Sequence, residues 1–197
     1  ASAGMTLADH LFEVKELRKS LSLVVESTTP EDAVNVYNAI GIARPSGLGS
    51  APRLDVNDPE SVTRILRERT SLYQVFKIAE KYDTICSEWT NNYLVTFDLA
   101  YPCLTELLDK TNDLNLAIIH TFLKVLAECP DTFIARKTSL ERAQQVSVEA
   151  KRILDLGGLQ TSRGKEGLRS FDQQLRRSDS LLNPGTTADI ISAALAV

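Results

Sequence analysis

The chain of 197 residues has few cysteines, no long apolar run and no excess of basic charge. Its three cysteines, Cys86, Cys103 and Cys129, are odd in number and show no CxxC spacing, which indicates buried free thiols in a reducing compartment rather than metal or redox chemistry. No stretch approaches the ~20 apolar residues that a membrane span requires, and no signal peptide is recognisable. The net charge of -4 provides no basic surface for nucleic acid or anionic lipid. We therefore expect a cytoplasmic protein that binds neither nucleic acid nor a membrane.

What the sequence does contain is helical periodicity along nearly its whole length. Hydrophobic residues make up 43% and charged residues 24%, which is typical of a globular domain, and the length suffices for one buried core. Apolar residues recur at spacings of three and four, and no alternating strand pattern is present. Residues 1–4 precede Met5 and are interpreted as a cloning remnant. The sequence therefore predicts an all-α fold, a single-domain helical bundle over residues 5–197.

Local signals predict where the helices begin and end. Capping residues indicate helix starts near Thr6, Thr29, Asp58, Asp83, Asp113 and Ser139. We expect one long helix over residues 60–79 and another over residues 84–97. The helix after Ser139 should end at Gly157, where a left-handed cap costs little. Residues 43–57 and 160–167 are predicted to be non-helical, because the first is rich in Gly, Pro and Ser and the second is polar and basic.

The first stretch with functional potential is the loop "IARPSGLGSAPRLDV" at residues 42–56. Gly47 and Gly49 allow positive φ angles or a close approach of the backbone to a ligand, and Arg44 and Asp55 bring charge to the same loop. The structural alternative is a surface crossover that needs glycine only for its geometry.

The second stretch is "CPDTFIARKTS" at residues 129–139. Asp131 can cap a helical turn, and Arg136 and Lys137 follow it. A planar guanidinium beside an ammonium suits a polyphosphate. The alternative is a helix cap followed by a solvated basic pair.

The third stretch is "NPGTTADIISAAL", which begins at Asn183. A turn at residues 183–185 precedes Thr186, Thr187 and Asp189, which we interpret as a capping box. A helix N-terminus with two hydroxyls could receive an anion, but Asp189 would oppose it, so this carboxylate is more plausible as a cap, a metal contact or a hydroxyl acceptor. Capping alone is the alternative.

These stretches, in this order and with "YDTICSEWTNNY" between the first two, resemble the triphosphoribosyl-dephospho-CoA synthase family. The match runs from about Pro30 to Val197, and its most specific parts are "PDTFIARK" and "LNPGTTADIISAAL". The resemblance implies an all-helical enzyme that transfers the triphosphoribosyl group of ATP to 3′-dephospho-CoA and releases adenine. Such a displacement at the ribose anomeric carbon requires a base for the incoming hydroxyl, a proton for the adenine and a cation for the triphosphate. Mg²⁺ is the expected cofactor.

The resemblance also implies roles for individual residues. Phosphate or substrate binding is expected at Arg136, Lys137, Gly47, Gly49, Asn183, Thr186 and Thr187. Metal binding is expected at Asp55 and Asp131, and the candidates for acid–base catalysis are Asp83, Glu88, Asp131 and Asp189. If these roles hold, the glycine loop, the Asp131–Lys137 segment and the Asn183–Asp189 turn should face one cleft.

The sequence departs from the family at its N-terminal side. Members of the family carry a further N-terminal region with a Lys-Pro-Gly motif, to which this chain has no counterpart, so the resemblance covers a C-terminal portion. The alternative function is therefore a non-catalytic or half-site helical subunit that needs another polypeptide to complete the site. A homo-oligomer is equally compatible with the sequence.

Overall fold

A computed structural model of the protein describes residues 13–45, 47–177 and 179–197. This part of the chain contains eleven α-helices and no β-strand, which confirms the all-α prediction. The helices are α1 (Val14–Glu26), α2 (Pro30–Ala43), α3 (Glu60–Glu68), α4 (Leu72–Ala79), α5 (Thr84–Thr90), α6 (Tyr101–Thr111), α7 (Leu114–Glu128), α8 (Thr132–Lys137), α9 (Leu140–Asp155), α10 (Ser162–Arg176) and α11 (Gly185–Ala196). A π-helical turn, Thr96–Ala100, leads directly into α6. None of the helices in the described ranges has the length and apolarity to cross a membrane.

The chain divides into two compact units, one up to Tyr93 and one from Leu94 onwards. The prediction of one domain did not include this subdivision. The first unit contains α1–α5, and its core combines residues from α2, the following loop, α3 and α4: Ala33, Tyr37, Leu54, Ile65, Leu72 and Val75. The second unit contains α6–α11, and its core is built mainly from α7, α9 and α10, with members that include Leu123, Leu126, Ala143, Ala150, Ile153 and Phe171.

Most of the predicted helix starts are confirmed. Thr29 and Asp32 form the expected capping box, in which Asp32 N donates to Thr29 Oγ1 at 3.2 Å and Thr29 N donates to Asp32 Oδ2 at 2.8 Å. The side chains of Asp83, Asp113 and Ser139 also cap their helices. After α9 the backbone turns at Gly157 with φ 93°, as the left-handed cap requires. The capping box predicted at Thr6 lies outside the described residues.

Both predicted long helices are wrong, because each one is interrupted by residues with positive φ. The helix expected over residues 60–79 stops at Arg69, where φ is 52°, and α4 restarts with a second capping box between Ser71 and Gln74. The helix expected over residues 84–97 ends at Thr90, since Asn92 and Tyr93 adopt φ values of 60° and 53°. A non-glycine residue at positive φ is uncommon and gives no clear sequence signal.

The prediction for residues 160–167 is also wrong. Thr161 Oγ1 accepts a hydrogen bond from Gly164 N at 3.0 Å and thereby starts α10, which continues to Arg176. Glycine lowers helix propensity, and Gly164 and Gly167 therefore obscured the helical pattern. The three cysteines are free thiols, as expected, but they are partly exposed rather than buried.

We predict that Gly164→Ala destabilises the protein by about 1–3 kcal/mol, the usual cost of overpacking. A Cβ atom at Gly164 would lie 2.0 Å from the backbone oxygen of Gly158, whereas one at Gly167 would meet only side chains at 3.6 Å or beyond. Gly167→Ala, on the same helix, is the matched control and should be neutral or stabilising by up to about 1 kcal/mol. Urea unfolding of both variants measures the difference. Equal stability of the two variants would contradict the close contact between α10 and Gly158.

Candidate functional site

The candidate site in the second unit is organised around the carboxylate of Asp131. This residue precedes α8 and is 1% exposed. Its Oδ1 atom accepts hydrogen bonds from Phe133 N at 2.9 Å and Ile134 N at 3.1 Å, which confirms the predicted N-cap. These bonds satisfy two of the backbone N–H groups that a helix start leaves without intrahelical partners.

The other oxygen of Asp131 binds a second helix start, that of α11. Thr187 donates to Oδ2 from both its backbone N and its Oγ1, each at 2.8 Å. Beside this contact, Thr186 Oγ1 lies 3.2 Å from Thr132 Oγ1 and accepts a hydrogen bond from Phe133 N, also at 3.2 Å. We refer to Asp131, Thr132, Thr186 and Thr187 as the α8–α11 junction. It unites the two stretches that the sequence analysis identified as most specific.

The capping box predicted for α11 is wrong. The helix begins at Gly185, its N-cap position is Pro184, and no side chain caps it from that position. Thr186 and Thr187 lie inside the first turn, where they bond to α8, and Asp189 is exposed. Gly185 is required for this approach, because a Cβ atom there would lie 2.8 Å from the ring of Phe133.

Two cations lie at the opposite end of α8. Lys137 donates from Nζ to the backbone oxygen of Ser180, and the same atom lies 4.1 Å from the ring centroid of Phe133. Burial lowers the pKa of Lys137, although the charge of Asp131 acts in the opposite direction. The guanidinium carbon of Arg136 lies 5.6 Å from the same ring, and its side chain is exposed. Lys137 thus holds the turn before α11, and Arg136 is the cation more accessible to a ligand.

A cavity of about 440 Å³ opens beside this turn. Ser180, Asn183 and Pro184 form its wall on the side of the turn. The remaining lining residues come from α7 and α10 and its end: Phe122, Asp172, Leu175 and Arg176. We refer to this space as the turn cavity. Asn183 and Pro184 belong to the predicted turn, whereas Asp172, Leu175 and Arg176 were missed because the sequence analysis did not recognise α10 as a helix.

The glycine loop and Asp55 lie in the first unit, and the carboxylate organises the loop. Gly47 and Gly49 adopt φ values of 75° and 66°, as expected. Asp55 accepts hydrogen bonds from Asn57 N and Ala51 N, each at 2.8 Å. These backbone hydrogen bonds, Asn57 first, lower the pKa of Asp55 despite its partial burial. The loop is anchored further by Leu54, which belongs to the core.

Tyr37 fixes the same loop from α2. Its hydroxyl donates to the backbone oxygen of Leu54 at 2.5 Å. Burial is the main reason why the pKa of Tyr37 rises to about 12, with smaller contributions from Tyr82, Asp55 and Cys86. The tyrosine therefore stays protonated and keeps its donor at neutral pH.

The candidate carboxylates Asp83 and Glu88 also belong to the first unit. Asp83 Oδ1 caps α5 by accepting from Ile85 N at 2.9 Å and Cys86 N at 3.1 Å. Glu88 is 4% exposed. Burial, followed by the charge of Glu88, raises the pKa of Tyr93 to about 12. The catalytic roles of Asp83 and Glu88 stay predictions.

A ready-made metal cage is absent from the described part of the chain, where no three His, Cys, Asp or Glu side chains are grouped to hold an ion. The predicted ligands Asp55 and Asp131 belong to different units, and each already accepts backbone N–H groups. Mg²⁺ in nucleotide sites commonly binds one or two carboxylates together with phosphate oxygens, so this chemistry does not need a preformed cage. The magnesium site stays a prediction.

Two of the three segments predicted to face one cleft contact each other, but the turn cavity has no lining residue from the Asp131–Lys137 segment, so the shared cleft stays a prediction. The structure joins the Asp131–Lys137 segment to the Asn183–Asp189 turn through the α8–α11 junction. The glycine loop belongs to the other unit. Thr132, Phe133 and Ser180 are residues of the site that sequence reasoning missed, although Thr132 and Phe133 stand inside the quoted motif "PDTFIARK".

In this all-α protein, two helix starts that carry sequence motifs meet at one buried carboxylate. The chain belongs to the family of ATP:dephospho-CoA triphosphoribosyl transferases, whose model matches residues 1–197. The resemblance seen in the sequence is thereby confirmed, and it begins at residue 1 rather than at about Pro30, so that it includes the four residues interpreted as a cloning remnant.

Individual relatives support the assignment. The chain is 33% identical over 105 residues to a 2-(5''-triphosphoribosyl)-3'-dephosphocoenzyme-A synthase from Klebsiella pneumoniae, which covers 53% of this chain and 34% of that protein. It is 30% identical over 94 residues to the synthase from Escherichia fergusonii, which covers 48% of this chain and 30% of that protein. The aligned segments thus span about a third of the length of these relatives.

A solved structure shares the fold. The crystal structure of a protein assigned as a triphosphoribosyl-dephospho-CoA synthase from Archaeoglobus fulgidus superimposes with a TM-score of 0.72. The superposition covers 91% of this chain and 70% of that chain at 18% identity. This likeness concerns the fold alone.

We predict that Asp131→Asn destabilises the protein by about 1–3 kcal/mol, the cost of leaving a buried polar group unsatisfied. Asparagine is a good N-cap, but its amide places an N–H group where either α8 or α11 requires an acceptor. Asp113→Asn is the matched control, because Asp113 is an exposed N-cap whose side chain accepts from Leu116 N of its own helix. Denaturant unfolding should find the control within about 0.5 kcal/mol of wild type. Equal effects of the two substitutions would contradict the claim that Asp131 joins the starts of α8 and α11.

Proposed function

We propose that this chain takes part in transferring the triphosphoribosyl group of ATP to the 2′-hydroxyl of 3′-dephospho-CoA. In the overall reaction the hydroxyl oxygen bonds to the anomeric carbon of the ATP ribose, and the bond from that carbon to adenine breaks. The electron pair of the broken bond goes to adenine, which also receives the proton of the hydroxyl. The observation that carries the proposal is the meeting of two family motifs at the α8–α11 junction, beside the turn cavity.

The geometry favours a positioning role for Asp131. Its carboxylate accepts four hydrogen bonds and is buried, so proton transfer or metal binding at this group would first require breaking a helix start. Asp189 is exposed in the second turn of α11 and is the better candidate in this unit for a hydroxyl acceptor or a magnesium contact. Asp131 would act by holding α11, and hence Asp189, in place.

Arg136 is the residue that we assign to the triphosphate. It is exposed at the end of α8, and its guanidinium lies near the Phe133 ring, which limits its orientations. A guanidinium can form two parallel hydrogen bonds to phosphate oxygens. Mg²⁺ bound to the triphosphate would neutralise part of its charge and thereby stabilise the bound nucleotide.

The direct test is incubation of the purified protein with ATP, MgCl₂ and dephospho-CoA, followed by chromatography for free adenine. We expect adenine to appear with an equal loss of dephospho-CoA, and none to appear when dephospho-CoA is omitted. Binding of ATP without adenine release would favour the half-site alternative. Absence of both binding and release would contradict the proposed function.

We predict that Arg136→Ala weakens ATP binding by about 1.5–3 kcal/mol, the range for hydrogen bonds to charged groups. Arg136→Lys should not restore the affinity, because an ammonium lacks the planar fork of donors. Both changes should leave stability within about 0.5 kcal/mol, since the side chain is exposed.

The matched control is Arg163→Ala, which removes another exposed arginine of the same unit, from α10. Calorimetric titration of ATP into wild type and the three variants supplies the comparison. If Arg163→Ala and Arg136→Ala lose the same affinity, the effect is one of net charge and the assignment of Arg136 is wrong.

A further inference from the structure

An apolar groove of about 410 Å³ runs between α7 and α10 in the second unit. Ile118, Ile119 and Phe122 line it from α7, and Leu168 and Leu175 line it from α10. These five side chains are partly exposed, and three of them, Phe122, Leu168 and Leu175, also pack against the core of the second unit. Their spacing places them on one face of each helix, so the groove is a regular feature of the two helices. A contiguous apolar surface of this kind marks a binding site more often than a scattered leucine does.

The groove is continuous with the turn cavity. Phe122, Asp172 and Leu175 line both spaces. From Leu168 to Arg176 the groove and cavity follow α10 for about 12 Å, at ~1.5 Å per residue. The path therefore begins in the apolar groove and ends at Asn183 and Pro184, beside the start of α11, which the α8–α11 junction holds in place.

Charge changes along this path. Arg176 lines the turn cavity, where its Nε atom contacts both oxygens of Asp172 at 2.8 and 2.9 Å. The side chains of this pair are 78% and 53% exposed, so solvent screens the ion pair and an anionic ligand can compete for the guanidinium. The guanidinium carries further N–H donors besides Nε–H. Beyond Arg176, the apolar groove has one further arginine, Arg169, among its lining residues.

We propose that the groove between α7 and α10 holds the pantetheine arm of dephospho-CoA, with the diphosphate of the coenzyme near Arg176. This inference rests on the proposed function. The order of groups along the ligand is nucleoside, diphosphate and then a long, mostly uncharged arm. Along the path, the turn at Asn183 comes first, the guanidinium of Arg176 second and the apolar groove third. The nucleoside, the diphosphate and the arm of the ligand would therefore meet these three surroundings in the same order. The amide groups of the arm can bond to water along the open side of the groove.

The test compares binding of dephospho-CoA with binding of ADP, which lacks the arm, by calorimetric titration. Ile119→Gln should weaken dephospho-CoA binding at least about tenfold, because it replaces an apolar wall by an amide, and should leave ADP binding unchanged. Leu168→Gln changes the opposite wall and should have the same selective effect. Circular dichroism shows whether each variant folds. If Ile119→Gln does not fold, Leu168→Gln still tests the proposal, and the reverse holds as well.

Val148→Gln is the control, since Val148 is a 70% exposed apolar residue of α9 outside the groove. It should alter neither affinity. If the folded groove variants bind dephospho-CoA as tightly as wild type while wild type still releases adenine, the groove assignment is wrong and the proposed function stands. If wild type binds no dephospho-CoA, the groove assignment fails as well. If ADP binding falls as much as dephospho-CoA binding, the arm does not lie in the groove.

Discussion

One buried carboxylate holds together the two helix starts on which the candidate site depends. Asp131 and Thr187 are 56 positions apart in the sequence, yet Asp131 bonds to backbone N–H groups of α8 and α11 at once. Each of its two oxygens therefore accepts from the N-terminal end of a different helix, Oδ1 from α8 and Oδ2 from α11. A carboxylate is the side chain best suited to this position, because it offers only acceptors where both helices offer only donors.

The surroundings follow from that constraint. With α11 fixed against α8, Gly185 must approach the ring of Phe133, and Lys137 reaches back to the backbone oxygen of Ser180. The turn before α11 is thereby held by Lys137 on one side and by Asp131 on the other. Its remaining surface lines the turn cavity, which adjoins the groove. A rigid turn beside an open, partly apolar channel is a suitable arrangement for an elongated substrate, because little ordering remains to be done on binding.

The sequence predicted what local interactions decide and missed what distant contacts decide. Caps such as Thr29 and Asp131 were predicted because a short polar side chain bonds to N–H groups two and three positions later. The break at Arg69 was missed because a positive φ at arginine has no local signature. Thr186 and Thr187 were identified as site residues from the family motif, but their bonds to α8 could not be predicted, since a local capping box satisfied the same pattern. The groove was missed because α10, which forms one wall, was predicted to be partly non-helical.

The central claim is that a buried carboxylate fixes the start of α11, and amide hydrogen exchange of Thr187 tests it most directly. Thr187 is the third residue of its helix, where an N–H group has no intrahelical acceptor, and Leu116 holds the same position in α7. The amide of Leu116 bonds to the exposed Asp113, whereas that of Thr187 bonds to the buried Asp131. We predict that the Thr187 amide exchanges far more slowly than the Leu116 amide and as slowly as core amides of α7. Exchange of Thr187 as fast as that of Leu116 would contradict the account.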